Sequence, residues 1–135
     1  MLSDNLLEDA VKFHGHLGPY LILGLKAGLL GIEYLGKNYF ELNAKVETAS
    51  QPPRSCFIDG IQFTSGCTTG KDNINLKISE MVSVEFTRGN HSISIIVKNE
   101  ILKILDQITS DIQVETIGKE LLQKTTEELF LITKK

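Results

Sequence analysis

No stretch of this sequence is apolar for long enough to cross a membrane without burying charge. The most hydrophobic window, Leu17 to Leu35, is broken by Gly24, Lys26, Gly28, Gly31 and Glu33, so a span would have to hide two charged side chains. An excess of positive charge is missing as well. Lys and Arg number 14 against 17 Asp and Glu, a formal net charge of -3, which gives no field for a nucleic-acid backbone and no polybasic patch for a lipid surface. Nucleic acid and membrane are therefore not expected partners. Cysteine occurs only at Cys56 and Cys67. The first residues, MLSDNLLEDA, have no positive n-region and no small-residue cleavage site. The expectation is a cytoplasmic protein, in which a disulfide gives way to free thiols, a metal ligand or a nucleophile. Tryptophan is absent and no segment repeats.

What is present is enough apolar residue, 41% of 135, to build one domain over 1–135 with a core that needs no disulfide or structural metal. Ser3 can cap a helix carrying Leu6, Leu7, Ala10, Val11 and Phe13 on one face. Gly15 and Gly18 break it, and Pro19 suits the first turn of a second helix running to about Leu35. Gly24, Gly28 and Gly31 recur along one side of that helix, where another backbone can come close, and this face suggests a homodimer.

Period two then predicts a half-exposed strand over Tyr39 to Glu47, and two further strands over Met81 to Thr87 and Ser92 to Lys98, joined through Gly89 and Asn90 as a hairpin. Phe57, Ile58, Ile61 and Phe63 fit a helix. Asn99 and Thr116 are expected to open two more, and Leu129 to Ile132 a short last strand. Helices and strands in this order predict an α+β fold, an antiparallel or mixed sheet packed against helices.

Two stretches carry chemistry. FHGHLGPYLILG sets His14 and His16 two residues apart, so in an extended or turning segment both imidazoles can meet one ion. Asp59, Cys56 and Cys67 are further donors, and a thiolate with two imidazoles suits zinc or another divalent transition metal. The alternative is that His14 is a helix C-terminal cation and His16 a core residue. His91, at a hairpin turn, is expected to be merely exposed. The second stretch, DGIQFTSGCTTGKDN, flanks Cys67, Thr68 and Thr69 with Gly66 and Gly70 and follows them with Lys71. Such a loop can turn N–H groups toward an anion, although it lacks the spacing of a nucleotide-binding Walker loop. Cys67 there can be a metal-bound thiolate, an activated nucleophile, or a buried turn residue.

Together, HGHLGPYLILGLKAG and CFIDGIQFTSGCTTGKDN resemble the FmdE-like family of formylmethanofuran dehydrogenase components, whose signatures are an HGHLCPG-type turn and a DAIQ..TGCT.GK loop. The resemblance implies an α+β core related to the C-terminal domain of glyceraldehyde-3-phosphate dehydrogenase. It implies a homodimer and a molybdenum or tungsten enzyme as partner. It also implies a metal site of His14, His16 and Cys67, with Asp59, Gln62 and Lys71 matching the loop's polar positions. Asp59, Cys67 and Lys71 are then the candidate catalytic residues, and Gly66, Thr68 and Gly70 a cradle for a small anionic ligand. Gly18 stands where the family usually has cysteine, and Tyr20 where it usually has glycine. A metal-binding domain open to a small ligand leads. A non-catalytic module of a pterin-containing enzyme and a metal-independent cysteine enzyme are the alternatives, and dehydrogenase activity of this chain alone is not expected.

Overall fold

The computed structural model describes residues 2–135. Helix α1 (Asp4–His14) starts where the Ser3 hydroxyl accepts the Leu6 N–H at 3.2 Å. It stops at Gly15, whose φ of 108° turns the chain through the left-handed region. Helix α2 (Pro19–Leu35) follows with proline at its first position. The order continues β1 (Asn43–Thr48), α3 (Cys56–Ser65), a 3-10 turn (Thr69–Lys71), β2 (Ile74–Ile78), β3 (Ser83–Arg88), β4 (His91–Val97), α4 (Asn99–Asp106), α5 (Asp111–Gln123), α6 (Thr126–Leu129) and β5 (Phe130–Lys134).

The five strands form one sheet in the order β2-β1-β3-β4-β5. β1 runs parallel to β2 and antiparallel to β3, so the sheet is mixed within an α+β fold. Strand alternation sends Ala44, Val46, Val84, Phe86, Ile93 and Ile95 into one core with Phe57 and Ile61 of α3. Helix α2 crosses that core. Its Leu21, Ile22, Leu23 and Leu25 are all fully buried, which accounts for its apolar residues on every side. Each such side chain contributes roughly 1.5–3 kcal/mol when it leaves water.

The glycines of α2 are used within the chain. A Cβ on Gly24 would overlap the Phe57 carbonyl and sit 3.0 Å from the Gly60 Cα, and one on Gly28 would overlap the Thr64 hydroxyl. The two helices touch backbone to backbone, and Thr64 Oγ1 donates to the Leu25 carbonyl at 3.0 Å. Gly31 makes room for the Phe86 ring. This face is therefore not a subunit contact, and it lends no support to a homodimer. Lys26, on the same helix, donates to the carbonyls of Leu121, Leu122 and Lys124 at 2.9–3.1 Å, tying α2 to the end of α5. Burial pushes its ammonium pKa down and Glu128 pulls it back up.

Several boundaries differ from the sequence expectation. The first strand begins only at Asn43, because Asn38 Oδ1 accepts the N–H groups of Phe40 and Glu41 and holds that segment in a turn. β2 has no counterpart in the sequence expectation, since its Leu76 and Ile78 point apolar side chains into solvent at the sheet edge. Helix α5 opens at Asp111 under a Ser110 cap, and Thr116 lies inside it, donating to the Ile112 carbonyl at 2.9 Å. Lys98, not Asn99, holds the capping position of α4.

Candidate functional site

The turn after α1 brings His14 and His16 side by side, with ring centroids 4.7 Å apart. His14 closes the last helical turn, and the left-handed Gly15 re-aims the chain so that His16 follows on the same side. Across from them α3 supplies Asp59 in its first turn. His14 Nδ1 and Asp59 Oδ2 are 2.6 Å apart, with the imidazole 7% exposed and the carboxylate 39%. A carboxylate accepting from Nδ1 places the proton there and leaves the Nε2 lone pair free. That Nε2 is buried and has no hydrogen-bond partner. A buried polar atom left unpaired costs about 1–3 kcal/mol, so the atom is either a standing liability or a place for a bound group.

This donor set suits a metal-bound histidine, in which a carboxylate holds one ring nitrogen and the ion takes the other. It is nonetheless a short set. Among the described residues no three His, Cys, Asp or Glu side chains gather closely enough to enclose an ion. Cys67, the expected third ligand, is elsewhere. It lies two residues beyond the C-terminal end of α3, whose last residue, Ser65, is already roughly 9 Å along the axis from Asp59 at ~1.5 Å per residue. Its fully buried thiol meets the Leu42 carbonyl at 3.5 Å within the main core. Burial pushes the Cys67 pKa up, with the Ser65 hydrogen bond and Lys71 pulling weakly the other way.

The cysteine that shares a cavity with His16 is Cys56, one helical turn before Asp59 on α3. With His16 and Gly18 it lines a cavity of about 310 Å³. Burial and the Asp59 charge both raise its pKa, so it stands there as a neutral thiol. Gly18 has φ -127° and ψ 155°, an extended conformation open to any residue. A Cβ placed on it would lie 3.1 Å from His16 Nε2. The position at which the family carries cysteine thus adjoins the imidazole itself.

The glycine-flanked loop is built differently from an anion cradle. Its N–H groups are taken up inside the protein: Cys67 donates to Ser65 Oγ, Thr68 to Asn73 Oδ1 at 2.8 Å and Thr69 to Gln62 Oε1 at 3.1 Å. Lys71 and Asp72 close the 3-10 turn onto the Thr68 and Thr69 carbonyls. Lys71 Nζ donates to Thr68 Oγ1 at 3.0 Å and lies over the Tyr39 ring. Gly66, at φ 78°, only turns the chain out of α3, and Gly70 lies within the 3-10 turn. Gln62 and Asn73 act as braces for this loop. His91 is exposed at the start of β4, where it borders a separate open hollow with Arg88 and Phe40.

The far wall of the His16 cavity, including Leu105, Ile108 and Val114, has no signature in the sequence, because it depends on how the α4–α5 connection folds over α2. The pairing of Cys56 with Asp59 does have one. Residues three apart share a helix face.

The chain is similar in structure to a tungsten formylmethanofuran dehydrogenase FmdE-like protein from Syntrophus aciditrophicus. The TM-score is 0.70 at 16% identity, covering 98% of this chain and 71% of that one. It is 32% identical over 71 residues to a probable S-adenosyl-L-methionine-binding protein of Archaeoglobus fulgidus, a match to 51% of this chain and 19% of that protein. The chain thus spans less than a quarter of that relative's length. Among the described residues no helix is long and apolar enough to cross a membrane. The model of the FmdE family, described by the molybdenum formylmethanofuran dehydrogenase operon, matches residues 13–131, from the residue before His14 to the last strand, and the chain belongs to that family.

Proposed function

We propose that this chain is a ligand-handling domain serving a molybdenum or tungsten formylmethanofuran dehydrogenase-type enzyme, and that His14 and His16 are its metal-binding residues. Zinc or another divalent transition metal suits two neutral imidazoles, with the remaining positions open to a small ligand. When bound, such an ion would supply Lewis acidity or lower the pKa of a bound water. The chain's own residues do the rest. Asp59 holds the Nδ1 proton of His14 and so keeps Nε2 as the donor. His16, with no side chain on Gly18 to crowd it, keeps an open approach from the cavity.

The observation that carries this reading is the buried His14 Nε2, unpartnered although Nδ1 is anchored to Asp59 at 2.6 Å. The cysteine-nucleophile alternative has less behind it, because burial holds both thiols protonated at neutral pH. Cys67 belongs to the core in this reading, not to the centre.

Metal analysis of protein made without a histidine tag, followed by titration against a chromophoric chelator, tests the proposal. One ion per chain is expected, lost in His14→Ala and kept in Cys67→Ala. Failure of the intact protein to take up zinc, cobalt or nickel at micromolar concentrations would sink it. So would unchanged uptake by a well-folded His14→Ala variant.

A further inference from the structure

Strand β2 ends the sheet on one side, with β1 as its only neighbour. The Asn73 carbonyl accepts from the Ala44 N–H at 3.0 Å, and the Ser79 N–H donates to the Thr48 carbonyl at 3.0 Å. Together with the parallel register of Ala44 with Ile74 and Thr48 with Ile78, these bonds fix which way each peptide group faces. The odd-numbered residues of β2 bond to β1, so the N–H and C=O of Ile74, Leu76 and Ile78 face away from the sheet. Asn75, Leu76, Lys77 and Ile78 are all exposed, which leaves that edge open. The usual devices that blunt an edge are missing. The strand has no proline and no bulge, and its one charge, Lys77, turns to Glu47 of β1 at 3.8 Å.

The side chains of Ile74, Leu76 and Ile78 lie on the core face, as do those of their partners Ala44, Val46 and Thr48, which are buried. Along β2 the cover runs out. Ile74 is 6% exposed, Leu76 53% and Ile78 76%. The apolar row of the core face thus continues into water at the edge, where a further strand would complete it.

The sequence of β2 fits its own copy. INLKI has the same alternation of apolar and polar residues in either direction. In an antiparallel pair about a two-fold axis at Leu76, that residue meets Leu76 of the second copy and Ile74 meets Ile78, each pair exchanging both backbone bonds. On the other face Asn75 meets Lys77, so no like charges are opposed. A shift of two residues one way sets Lys77 against Lys77. The other way sets Ile78 against Asp72, whose φ of 57° is outside strand geometry. The opposite edge of the sheet lacks this match: pairing β5 with itself about Ile132 sets Phe130 against Lys134, which lies over the Tyr34 ring at 4.9 Å. We propose that two copies of this chain associate through β2, edge to edge and antiparallel about Leu76, joining their sheets into one. The contact uses no residue of the histidine site or of the glycine face of α2. One short strand from each chain is a small interface, so the dimer is reversible.

Sedimentation equilibrium of the full chain from micromolar to millimolar concentration tests this, with amide hydrogen exchange followed over the same range. A reversible dimer is expected. Leu76→Lys opposes two like charges at the axis, and Leu76→Pro removes an outward N–H while sparing the ladder to β1. Each is expected to raise the dissociation constant at least tenfold with an unchanged circular-dichroism spectrum. In the unsubstituted protein, rising concentration should slow exchange of the Leu76 and Ile78 amides and leave that of Ile132 as it was. A chain that stays monomeric at millimolar concentration would overturn the proposal, and is the result expected if the edge serves an extended segment of a different protein. So would a dimer of undiminished affinity in a folded Leu76→Lys variant, or concentration-dependent protection at Ile132 in place of Leu76. Exchange is read on the unsubstituted protein, so the outcome does not depend on either variant folding.

Discussion

Replacing Asp59 by asparagine separates the charge of the His14 partner from its shape. The bond it alters is short, 2.6 Å, and one of its partners is almost wholly buried. A charge-assisted bond of this kind contributes about 1.5–3 kcal/mol, roughly twice a neutral one. If the asparagine carbonyl still accepts from Nδ1, the folded protein loses only about 1 kcal/mol, a small change in melting temperature. Metal affinity should fall further, because the carboxylate also raises the basicity of Nε2. Loss of such an outer partner weakens binding ten- to hundredfold, or about 1.4–2.8 kcal/mol. An amide turned the other way, with its NH2 toward Nδ1, would move the imidazole proton to Nε2 and close that nitrogen to a metal altogether. Asp59→Ala should do more damage to the fold, since the Nδ1 proton then has no acceptor. Competition titration against a chromophoric chelator, with melting curves in parallel, measures both quantities. Asp59→Asn with native melting and zinc affinity within twofold of the parent would refute the orienting role. A loss of zinc in Cys67→Ala as large as that in His14→Ala would refute the exclusion of Cys67 from the centre.

Gly18→Cys is expected to tighten zinc binding by about tenfold or more, as a thiolate joins the two imidazoles; the extended φ adds no strain, the His16 ring has only to give slightly before a Cβ at 3.1 Å from its Nε2, and the chelator titration reads the gain. Gly24→Ala should destabilise the protein by about 2 kcal/mol or more, because overlap with the Phe57 carbonyl outweighs the roughly 1 kcal/mol gained in helix propensity. Thermal melts would show it as a drop of roughly 5–10 °C. Treatment with a chelator should leave the circular-dichroism spectrum and cooperative melting intact, since the core of Phe57, Phe86, Ile93 and Ile95 is assembled by α2, α3 and the sheet without reference to an ion. Collapse of the folded spectrum on chelation would make the ion structural.

Much of the fold is legible where local chemistry and burial agree. Pro19 after a broken helix, the alternation of Ser83–Arg88 and His91–Val97 and the turn at Gly89 all read correctly, because each pattern is set by a few neighbouring residues. β2 is hidden for the opposite reason: its alternating Ile74, Leu76 and Ile78 lie on an edge, where only Ile74 is covered. The site is half legible. The histidine pair with Asp59 follows from a two-residue spacing and a helix that faces it. Cys67 is misplaced by its sequence context because a residue's type says nothing about which side of a helix end it leaves by. Gly66 turns the chain inward, and the thiol goes to the core.

The cavity's division between two distant parts of the chain has a consequence for how the protein can change. Its histidine end comes from residues 16–56, and the opposite wall comes from residues 105–114, around the exposed connection between α4 and α5. Substitutions in that connection can reshape what fits without moving His14, Asp59 or the glycine contact of α2 with α3. The shape of the cavity and the donor set of the proposed centre are thereby separable by mutation. Exchanging residues 105–114 between relatives is a direct way to transplant one without the other.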